Sequence, residues 1–425
     1  MSSDIAMTVR LSQRDEEMLA GRHGAGARLA MSVVARMADA CGADELMDIT
    51  AAHIDGCGLL SDAGLEFAET LAAGGARARV PTTLNMGPLD LQHWRDWSID
   101  EAFAAKAIRQ GKAYADMGCV PTWTCAPYQG YLTPRFGQQI AWGESNAVVY
   151  ANSVLGARTN RYGDYMDICA AVTGRVPRLG LHLDENRRGQ VLVRLRGFGS
   201  GDFDRETFYP ALGHLLGPLA GEKVPVIEGL PPVVSDDRLK ALGAAAASSG
   251  SVALFHAVGL TPEAPTLQAA LHGRAAERTV DVAPADLAAA WADLSTAGED
   301  DDLDAVLLGC PHFSFAEFRE LAEHIARAGG KARADVIVIS STQSWALAQR
   351  AGFDRVLAEF GARVTLDTCM FHTPMLGGEV RTVMTNSGKC AYYAPGELNR
   401  KVAFGSLADC VRSAMLGRVR REEQP

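Results

Sequence analysis

The chain has 425 residues, of which 48% are hydrophobic and 22% charged, so it can bury the cores of two or three domains. Its net charge of -10 argues against nucleic-acid binding, because a surface that binds a phosphate backbone is built from clustered Lys and Arg. Met1 to Arg10 show no secretory signal pattern, and the most apolar stretch, Leu242 to Leu260, is interrupted by Ser248–Ser251, so we expect a cytoplasmic protein without a membrane span.

Strands and helices alternate through the second half of the chain, which is typical of parallel α/β sheets. We predict an α/β protein with three regions, approximately 1–177, 178–262 and 263–425. In such sheets, ligands bind beyond the carboxyl ends of the strands. The predicted strands are Leu179–Leu183, Val191–Leu195, Asp304–Leu308, Val336–Ile339 and Arg363–Leu366, and the predicted helices are Arg205–Leu216, Phe315–Ala328, Ser344–Ala351 and Leu407–Leu416.

Nine cysteines are spread along the chain. Their odd number and the absence of a secretory signal argue against a disulfide framework, and the absence of a C-x-x-C pair argues against a zinc ribbon. We expect most of them to be small buried hydrophobic residues. Any cysteine with a chemical role must therefore be recognised from the residues around it.

Two motifs in the first region place polar groups in apolar surroundings. Pro121–Gln129 sets Cys125 among prolines and large aromatic residues, which is typical of an ordered loop. Trp142–Arg161 interrupts a small, apolar helix with amides, a carboxylate and two arginines. The alternative interpretation of the second motif is an N-capped helix packed under the sheet, with Arg158 and Arg161 in solvent.

Further polar insertions follow predicted strands. Cys310 and Cys369 each lie just beyond such a strand end. Because polar loops near strand ends are where ligands bind, we expect these insertions to share one pocket. They are His53–Cys57, Thr82–Asn85, Gly309–His312, Asp367–Met370 and Thr385–Lys389.

The order of these motifs resembles the aconitase X family over nearly the whole chain. The resemblance rests on Thr-Trp-Thr-Cys-x-Pro-Tyr around Cys125, on Trp-Gly-Glu-Ser-Asn from Trp142, on Gly-Cys-Pro-His around Cys310, on Asp-Thr-Cys ending at Cys369, and on Thr-Asn-Ser-x-Lys ending at Lys389. It implies an aconitase-like fold, in which several parallel-sheet α/β domains surround a central metal cleft. It also implies that Cys125, Cys310 and Cys369 bind a two-iron or four-iron cluster, or iron alone, through soft thiolates.

Residues in the same motifs are assigned roles, as hypotheses, from their positions in those motifs. Glu144 and Lys389 are the predicted catalytic residues. Arginine or lysine would neutralise a substrate carboxylate, while the amides would orient the substrate. The predicted substrate-binding residues are His53, Asn85, Ser145, Asn146, Asn152, Arg158, Arg161 and Asn386.

The implied activity is a hydro-lyase reaction that needs a partner. The family's catalytic base resembles a serine on a small swivelling domain, for which we find no room after the predicted helix Leu407–Leu416. We therefore expect a hetero-oligomer in which a small subunit supplies that serine.

The resemblance implies one of two small-molecule carboxylates as the substrate. We favour cis-3-hydroxy-L-proline, dehydrated to 1-pyrroline-2-carboxylate, because a chain rich in Ala and Arg and poor in Lys is more typical of the bacterial branch of the family than of the archaeal one, and because no added phosphate cradle is evident. The alternative is mevalonate 5-phosphate. Two interpretations from other classes are a non-catalytic iron–sulfur protein and a cysteine-nucleophile enzyme that uses Cys310 and His312.

Overall fold

The computed structural model describes residues 8–97 and 99–422. Residues 1–7, which carry most of the segment used to predict the absence of a secretory signal, lie outside the described residues. Within the described ranges the strands form four sheets, three of them parallel. No helix in these ranges is long and apolar enough to cross a bilayer.

The first region contains a parallel three-stranded sheet of order β3-β2-β4 and an antiparallel pair, β1 and β5. The three parallel strands are only two or three residues long and are buried along their whole length. The strands are β1 (Leu46–Asp48), β2 (Ala52–Ile54), β3 (Thr82–Leu84), β4 (Ala141–Trp142) and β5 (Arg175–Pro177), and the helices are α1 (Gln13–Leu19), α2 (Ala25–Ala40), α3 (Asp62–Ala73), α4 (Glu101–Asp116), α5 (Ser145–Ser153) and α6 (Met166–Thr173).

The middle region contains a parallel four-stranded sheet of order β8-β7-β6-β9. Because β9 pairs with β6, this sheet extends beyond residue 262, where the sequence suggested a boundary. The strands are β6 (Val191–Leu195), β7 (Pro225–Glu228), β8 (His256–Ala257) and β9 (Arg278–Val282), and the helices are α7 (Ser200–Asp204), α8 (Phe208–Ala220), α9 (Asp236–Ser249), α10 (Leu267–Ala270) and α11 (Pro284–Asp293).

Two predictions in this region are corrected by the structure. The predicted strand Leu179–Leu183 is wrong, because a 3-10 turn occupies Gly180–His182. Gly180 has a φ of +59°, and the Leu181 N–H donates to the Asn160 side chain at 2.7 Å rather than to a neighbouring strand. The helix predicted from Arg205 begins three residues later, at Phe208. The strand predicted at Val191–Leu195 is confirmed.

The third region contains a parallel five-stranded sheet of order β12-β11-β10-β13-β14. The strands and helices predicted here are confirmed to within a few residues, although β10 continues through Cys310 to Phe313. The strands are β10 (Ala305–Phe313), β11 (Asp335–Ser340), β12 (Ala362–Leu366), β13 (Thr382–Thr385) and β14 (Lys401–Phe404), and the helices are α12 (Phe315–Ala328), α13 (Thr342–Arg350), α14 (Phe353–Phe360), α15 (Gly388–Tyr393) and α16 (Leu407–Leu416).

The apolar stretch Leu242 to Leu260 forms the second half of α9, a turn and strand β8. Small residues suit α9 because α8, α5 and α15 all pack against it. The approach of α8 is so close that a Cβ added at Gly213 would lie 2.2 Å from the carbonyl oxygen of Leu242. Tight helix packing therefore accounts for the composition of this stretch.

Candidate active site and metal centre

One cavity of about 360 Å³ brings together polar residues from the first and third regions. Its walls include loops that follow β2, β3 and β4 in one sheet and β12 and β13 in the other, where ligand sites in parallel sheets are expected. The loop before β4, the second half of β10 and the end of β11 complete the lining. All three predicted cysteine ligands line it. The lining residues include Leu60, Met86, Cys125, Glu144, Ser145, Cys310, His312, Cys369, Phe371, His372, Lys389, Tyr393 and Glu397.

Cys125 lies in the loop between α4 and β4, and groups from two other loops hold it. Its Sγ accepts a hydrogen bond from the backbone N–H of His312 at 3.2 Å. Its carbonyl oxygen accepts one from Asn146 Nδ2 at 3.1 Å. Burial raises the pKa of the Cys125 thiol to about 12 in the absence of a bound cation. A metal that binds such a thiol displaces its proton.

His312 connects the loop of Cys125 to that of Cys369. Its Nε2 lies 2.6 Å from the carbonyl oxygen of Thr368, to which it donates, and its Nδ1 lies 3.2 Å from the hydroxyl of Thr124. Burial lowers the pKa of His312 to about 4, so the ring is neutral. With both ring nitrogens engaged, His312 is not placed to act as a base toward Cys310, and this argues against the cysteine-nucleophile interpretation.

Cys310 sits in the irregular part of β10, where its pairing with β11 shifts register. The preceding residue must be glycine, because Gly309 has a φ of +94° and an added Cβ would lie 2.0 Å from the carbonyl oxygen of Ile339. The Ser387 hydroxyl donates to the Cys310 carbonyl and also caps α15. Cys310 is thereby tied to the helix that carries Lys389.

Cys369 lies in the loop after β12, and this loop is fixed at its start. Asp367 has a φ of +63°, accepts hydrogen bonds from the backbone and hydroxyl of Thr342 at 2.7 and 2.6 Å, and accepts another at its carbonyl from Gly87 N at 2.6 Å. Cys369 Sγ accepts from the N–H of Phe371 at 3.5 Å. Burial raises the pKa of this thiol to about 11.

Glu144 and Lys389, the two predicted catalytic residues, form a buried ion pair in the cavity wall. Glu144 Oε1 lies 2.6 Å from Lys389 Nζ, and the two side chains are 10% and 13% exposed. Burial opposes the charge on each group, but attraction to the partner prevails. The pKa of Glu144 is therefore lowered, the pKa of Lys389 is raised well above its ordinary value, and both are charged at neutral pH.

The residues that follow Glu144 in the sequence also hold its carboxylate. Glu144 caps α5 by accepting from Asn146 N at 3.2 Å, and it accepts from Asn146 Nδ2 at 2.8 Å and from the Ser145 hydroxyl at 3.3 Å. Asn85 Nδ2 donates to the other carboxylate oxygen at 3.3 Å and also to Asp55. The residues of the Trp-Gly-Glu-Ser-Asn motif thus hold the carboxylate of Glu144 in one position.

His53 and Asp55 stand behind this carboxylate, at the end of β2. His53 is fully buried, and its Nδ1 lies 2.8 Å from the Thr83 hydroxyl. Burial lowers the pKa of His53 to about 4, and burial with the nearby Glu144 raises the pKa of Asp55 well above its ordinary value. These residues support the cavity wall, and neither is among the residues that line the cavity.

Three residues predicted to bind substrate have protein partners elsewhere. Asn152 accepts from Arg187 Nη1 at 3.1 Å and bonds the backbone around it. Arg158 pairs with Asp184, and Arg161 Nη2 donates to a backbone carbonyl at 2.6 Å. The structure does not bring these three side chains to the cavity, and their roles as substrate ligands stay predictions.

Asn386 lies on a second cavity of about 100 Å³, which shares Cys310 with the first. Its Nδ2 donates to Glu206 at 2.6 Å. The side chain is therefore close to the cysteines but points to a neighbouring space.

The cavity also contains residues that the sequence analysis did not select. His372 lies three positions after Cys369 in the same loop, so its nearness to that cysteine was a usable signal. Tyr393 and Glu397 follow Lys389 at intervals of four residues, which places them on one face of a helix. Met86 follows Asn85 directly at the end of β3.

The donor set of the cavity fits an iron–sulfur cluster. Its three cysteines would supply the thiolates that such clusters use, and three protein ligands would leave a coordination position open. Among the described residues, no three His, Cys, Asp or Glu side chains are close enough together to hold a single metal ion. A cluster contains several iron atoms, so its thiolates need not converge on one point.

Comparison with protein families agrees with this site. Three family models match in succession: the aconitase X first domain over residues 8–185, the second domain over residues 189–292 and the third domain over residues 303–416. Together these matches cover the parts of the chain that contain the three cysteines, Glu144 and Lys389.

Individual relatives extend the comparison. The chain is 49% identical to the cis-3-hydroxy-L-proline dehydratase of Pseudomonas aeruginosa over 96% of its own length and 70% of that protein, and 43% identical to the enzyme of that name from Hypocrea jecorina over 98% and 70%. It is 37% identical to the phosphomevalonate dehydratase large subunit of Methanocaldococcus jannaschii over 95% and 99%. The crystal structure of Thermococcus kodakaraensis aconitase X (holo-form) superposes with a TM-score of 0.85 at 34% identity, covering 96% of this chain and 100% of that one. The chain belongs to the aconitase X family.

Proposed function

We propose that this chain is the large subunit of an iron-dependent hydro-lyase that dehydrates cis-3-hydroxy-L-proline to 1-pyrroline-2-carboxylate. The observation that carries the proposal is that Cys125, Cys310, Cys369 and the Glu144–Lys389 pair line one cavity. The two relatives with the highest identities quoted above bear the name of this dehydratase.

The reaction removes a proton from the carbon that bears the carboxylate and hydroxide from the next carbon, and these two groups leave as water. The enamine that forms between the two carbons then tautomerises to the product. Cys125, Cys310 and Cys369 would hold the cluster, which when bound supplies an open iron position that polarises the substrate hydroxyl and carboxylate.

Lys389 is the residue of this chain that we propose contacts the substrate anion. Its raised pKa keeps it protonated, so it serves as a hydrogen-bond donor and not as a base. Glu144 fixes the position of that ammonium and is itself too well stabilised as an anion to take a proton. The base must then come from elsewhere, and we propose a serine on a small subunit.

A small-subunit partner is supported by the relatives named as large subunits, of which this chain covers almost the full length. A cytoplasmic location is part of the same proposal, since all nine cysteines are free thiols, as expected in a reducing compartment.

The substrate choice has support from the cavity as well as from the relatives. Lys389 is the only lysine or arginine among the described residues that line it, and Glu144 already pairs with it. Burial lowers the pKa of both His312 and His372, so neither adds a positive charge. A phosphate dianion would find few partners here, which favours the hydroxyproline over mevalonate 5-phosphate.

The test is to purify the chain without oxygen, load it with iron and sulfide, and assay it with and without its small subunit on both substrates. We expect turnover of cis-3-hydroxy-L-proline only with both subunits. Cys→Ser at positions 125, 310 or 369 should each abolish bound iron, whereas C169S, which changes a buried cysteine outside the cavity, should retain it. Turnover of mevalonate 5-phosphate alone would refute the substrate, and full iron in the three variants would refute the ligands.

A further inference from the structure

Glu397 shares one helical face with Lys389 and Tyr393. Helix α15 (Gly388–Tyr393) continues into a π-helical turn, Ala394–Leu398, and the three residues are spaced four apart along this segment. All three line the cavity. The segment therefore presents a cation, an aromatic ring and a carboxylate in sequence along the cavity wall.

Lys389 is paired, but Glu397 is not. Within residues 8–97 and 99–422, Glu397 makes no ion pair and no side-chain hydrogen bond, and it is exposed at the rim of the cavity. Lys389, which already pairs with Glu144, is the only lysine or arginine among the described residues that line this cavity. Glu397 is thus a free anion that faces a space otherwise short of cations.

The groups beside Glu397 suit an organic cation. Tyr393 lies between it and Lys389 on the same face, and the Tyr393 ring packs edge-on against Phe371 with centroids 5.9 Å apart. An aromatic face and a carboxylate are the two protein groups that attract an ammonium group. At the other end of this face, Lys389 offers a positive charge to a carboxylate.

We propose that Glu397 is a specificity-determining residue that receives the ring ammonium of the imino-acid substrate, while Lys389 and the metal site receive its carboxylate. The inference rests on the proposed function and deepens it. Because both charged groups of the imino acid are attached to one carbon, the side chains of Lys389 and Glu397 must reach toward each other along the face to contact them together. A phosphorylated substrate without an ammonium group would instead be repelled by Glu397, so this residue separates the two substrate classes of the family.

The test compares wild type with E397Q, which keeps the shape of the side chain and removes its charge, both loaded with iron and combined with the small subunit. We expect the KM for cis-3-hydroxy-L-proline to rise about tenfold while kcat changes less than twofold. Two non-reacting competitors isolate the ammonium: L-proline should bind E397Q about tenfold more weakly than wild type, whereas tetrahydrofuran-2-carboxylate, which has a ring oxygen in place of the ammonium, should bind both equally. E359Q, an exposed change on α14 away from the cavity, is the matched control and should behave as wild type.

The outcomes separate the inference from the function on which it rests. If wild type turns over cis-3-hydroxy-L-proline but E397Q has an unchanged KM, the ammonium site is refuted and the function stands. Equal weakening of both competitors would also refute it, because the loss would not depend on the ammonium. If wild type does not turn over the hydroxyproline at all, the proposed function and the ammonium site fall together.

Discussion

Replacing Lys389 with methionine would leave the buried carboxylate of Glu144 without its counter-ion. The ammonium lies 2.6 Å from that carboxylate, and methionine retains most of the aliphatic chain without the charge. Asn146, Ser145 and Asn85 would still donate hydrogen bonds to Glu144. The variant therefore removes the charge partner while the neutral contacts remain.

The expected loss of stability is large because both side chains are nearly inaccessible to water. Breaking a buried pair by removing one partner costs about 3–5 kcal/mol, most of it from the charge that stays behind. A chain of 425 residues should have a urea m-value of at least about 3 kcal/mol/M, so this corresponds to a shift of the unfolding midpoint of at most about 1–2 M. Turnover should fall by about a hundredfold or more, since the proposed donor to the substrate anion is gone.

A double-mutant cycle separates the pair from its surroundings. The variants are K389M, E144Q and K389M/E144Q, each compared by urea unfolding of the chain without metal. The loss of the Glu144 cap on α5 occurs in both E144Q and the double variant, so it cancels. We expect the double variant to be about 2 kcal/mol more stable than the sum of the single losses predicts. Additive losses, or a K389M protein as stable as wild type, would show that the pair does not hold the cavity wall.

Two further predictions concern other parts of the chain. Burial lowers the pKa of His182 from 6.5 to about 4. The neutral ring therefore adds about 3 kcal/mol to the free energy of unfolding above pH 6.5, and this contribution is lost as the pH falls from 6.5 toward 4. In a plot of the urea unfolding midpoint against pH, H182Q should flatten the part between pH 4 and 6.5, whereas H272N, a change at an exposed histidine, should not. If H182Q and wild type gave the same plot, the assignment to His182 would be refuted. G309A should lose most of its bound iron, because a Cβ would lie 2.0 Å from the Ile339 carbonyl oxygen, while G378A, which meets no atom within 4 Å, should bind iron as wild type does.

The helices and strands of the third region could be predicted from the sequence because they are long and carry local signals at their ends. Phe315–Ala328 is bounded by Ser314, whose side chain forms a capping box with Glu317, and by Gly329. Val336–Ile339 is a run of β-branched residues with turn residues on both sides. Local propensity and tertiary structure agree at these places, so the predicted and observed bounds nearly coincide.

The strands of the first region could not be predicted in the same way. Its parallel strands have two or three residues each, too few for either alternation or a continuous apolar run to be recognised. Their pairing is fixed by long-range contacts between residues about 30 and 90 positions apart, such as His53 with Thr83 and His53 with Trp142. The motif residues could be selected there, but not the strands that position them.

The candidate site illustrates the same limit at the level of single residues. The analysis of sequence motifs selected Cys125, Glu144, Cys310, Cys369 and Lys389, and the structure brings these five to one cavity. It selected three further polar residues, Asn152, Arg158 and Arg161, through the motif that also contains Glu144. Side chains of that motif point in different directions, because only the first turn of α5 faces the cavity, and these three lie at or beyond the end of the helix.

Helical spacing counted forward from Lys389 would have added residues to the predicted site. Once Lys389 is assigned to the cavity, the residues four and eight positions later belong to the same face if the helix continues, and the π-turn at Ala394–Leu398 does continue it. Pro395 in this segment made that continuation hard to predict, since proline usually marks a helix end unless it stands in the first turn. A π-turn is itself a feature that often accompanies functional sites. The irregular backbone at Ala394–Leu398 made the position of Glu397 hard to predict from the sequence, and the same backbone places its carboxylate at the rim of the cavity.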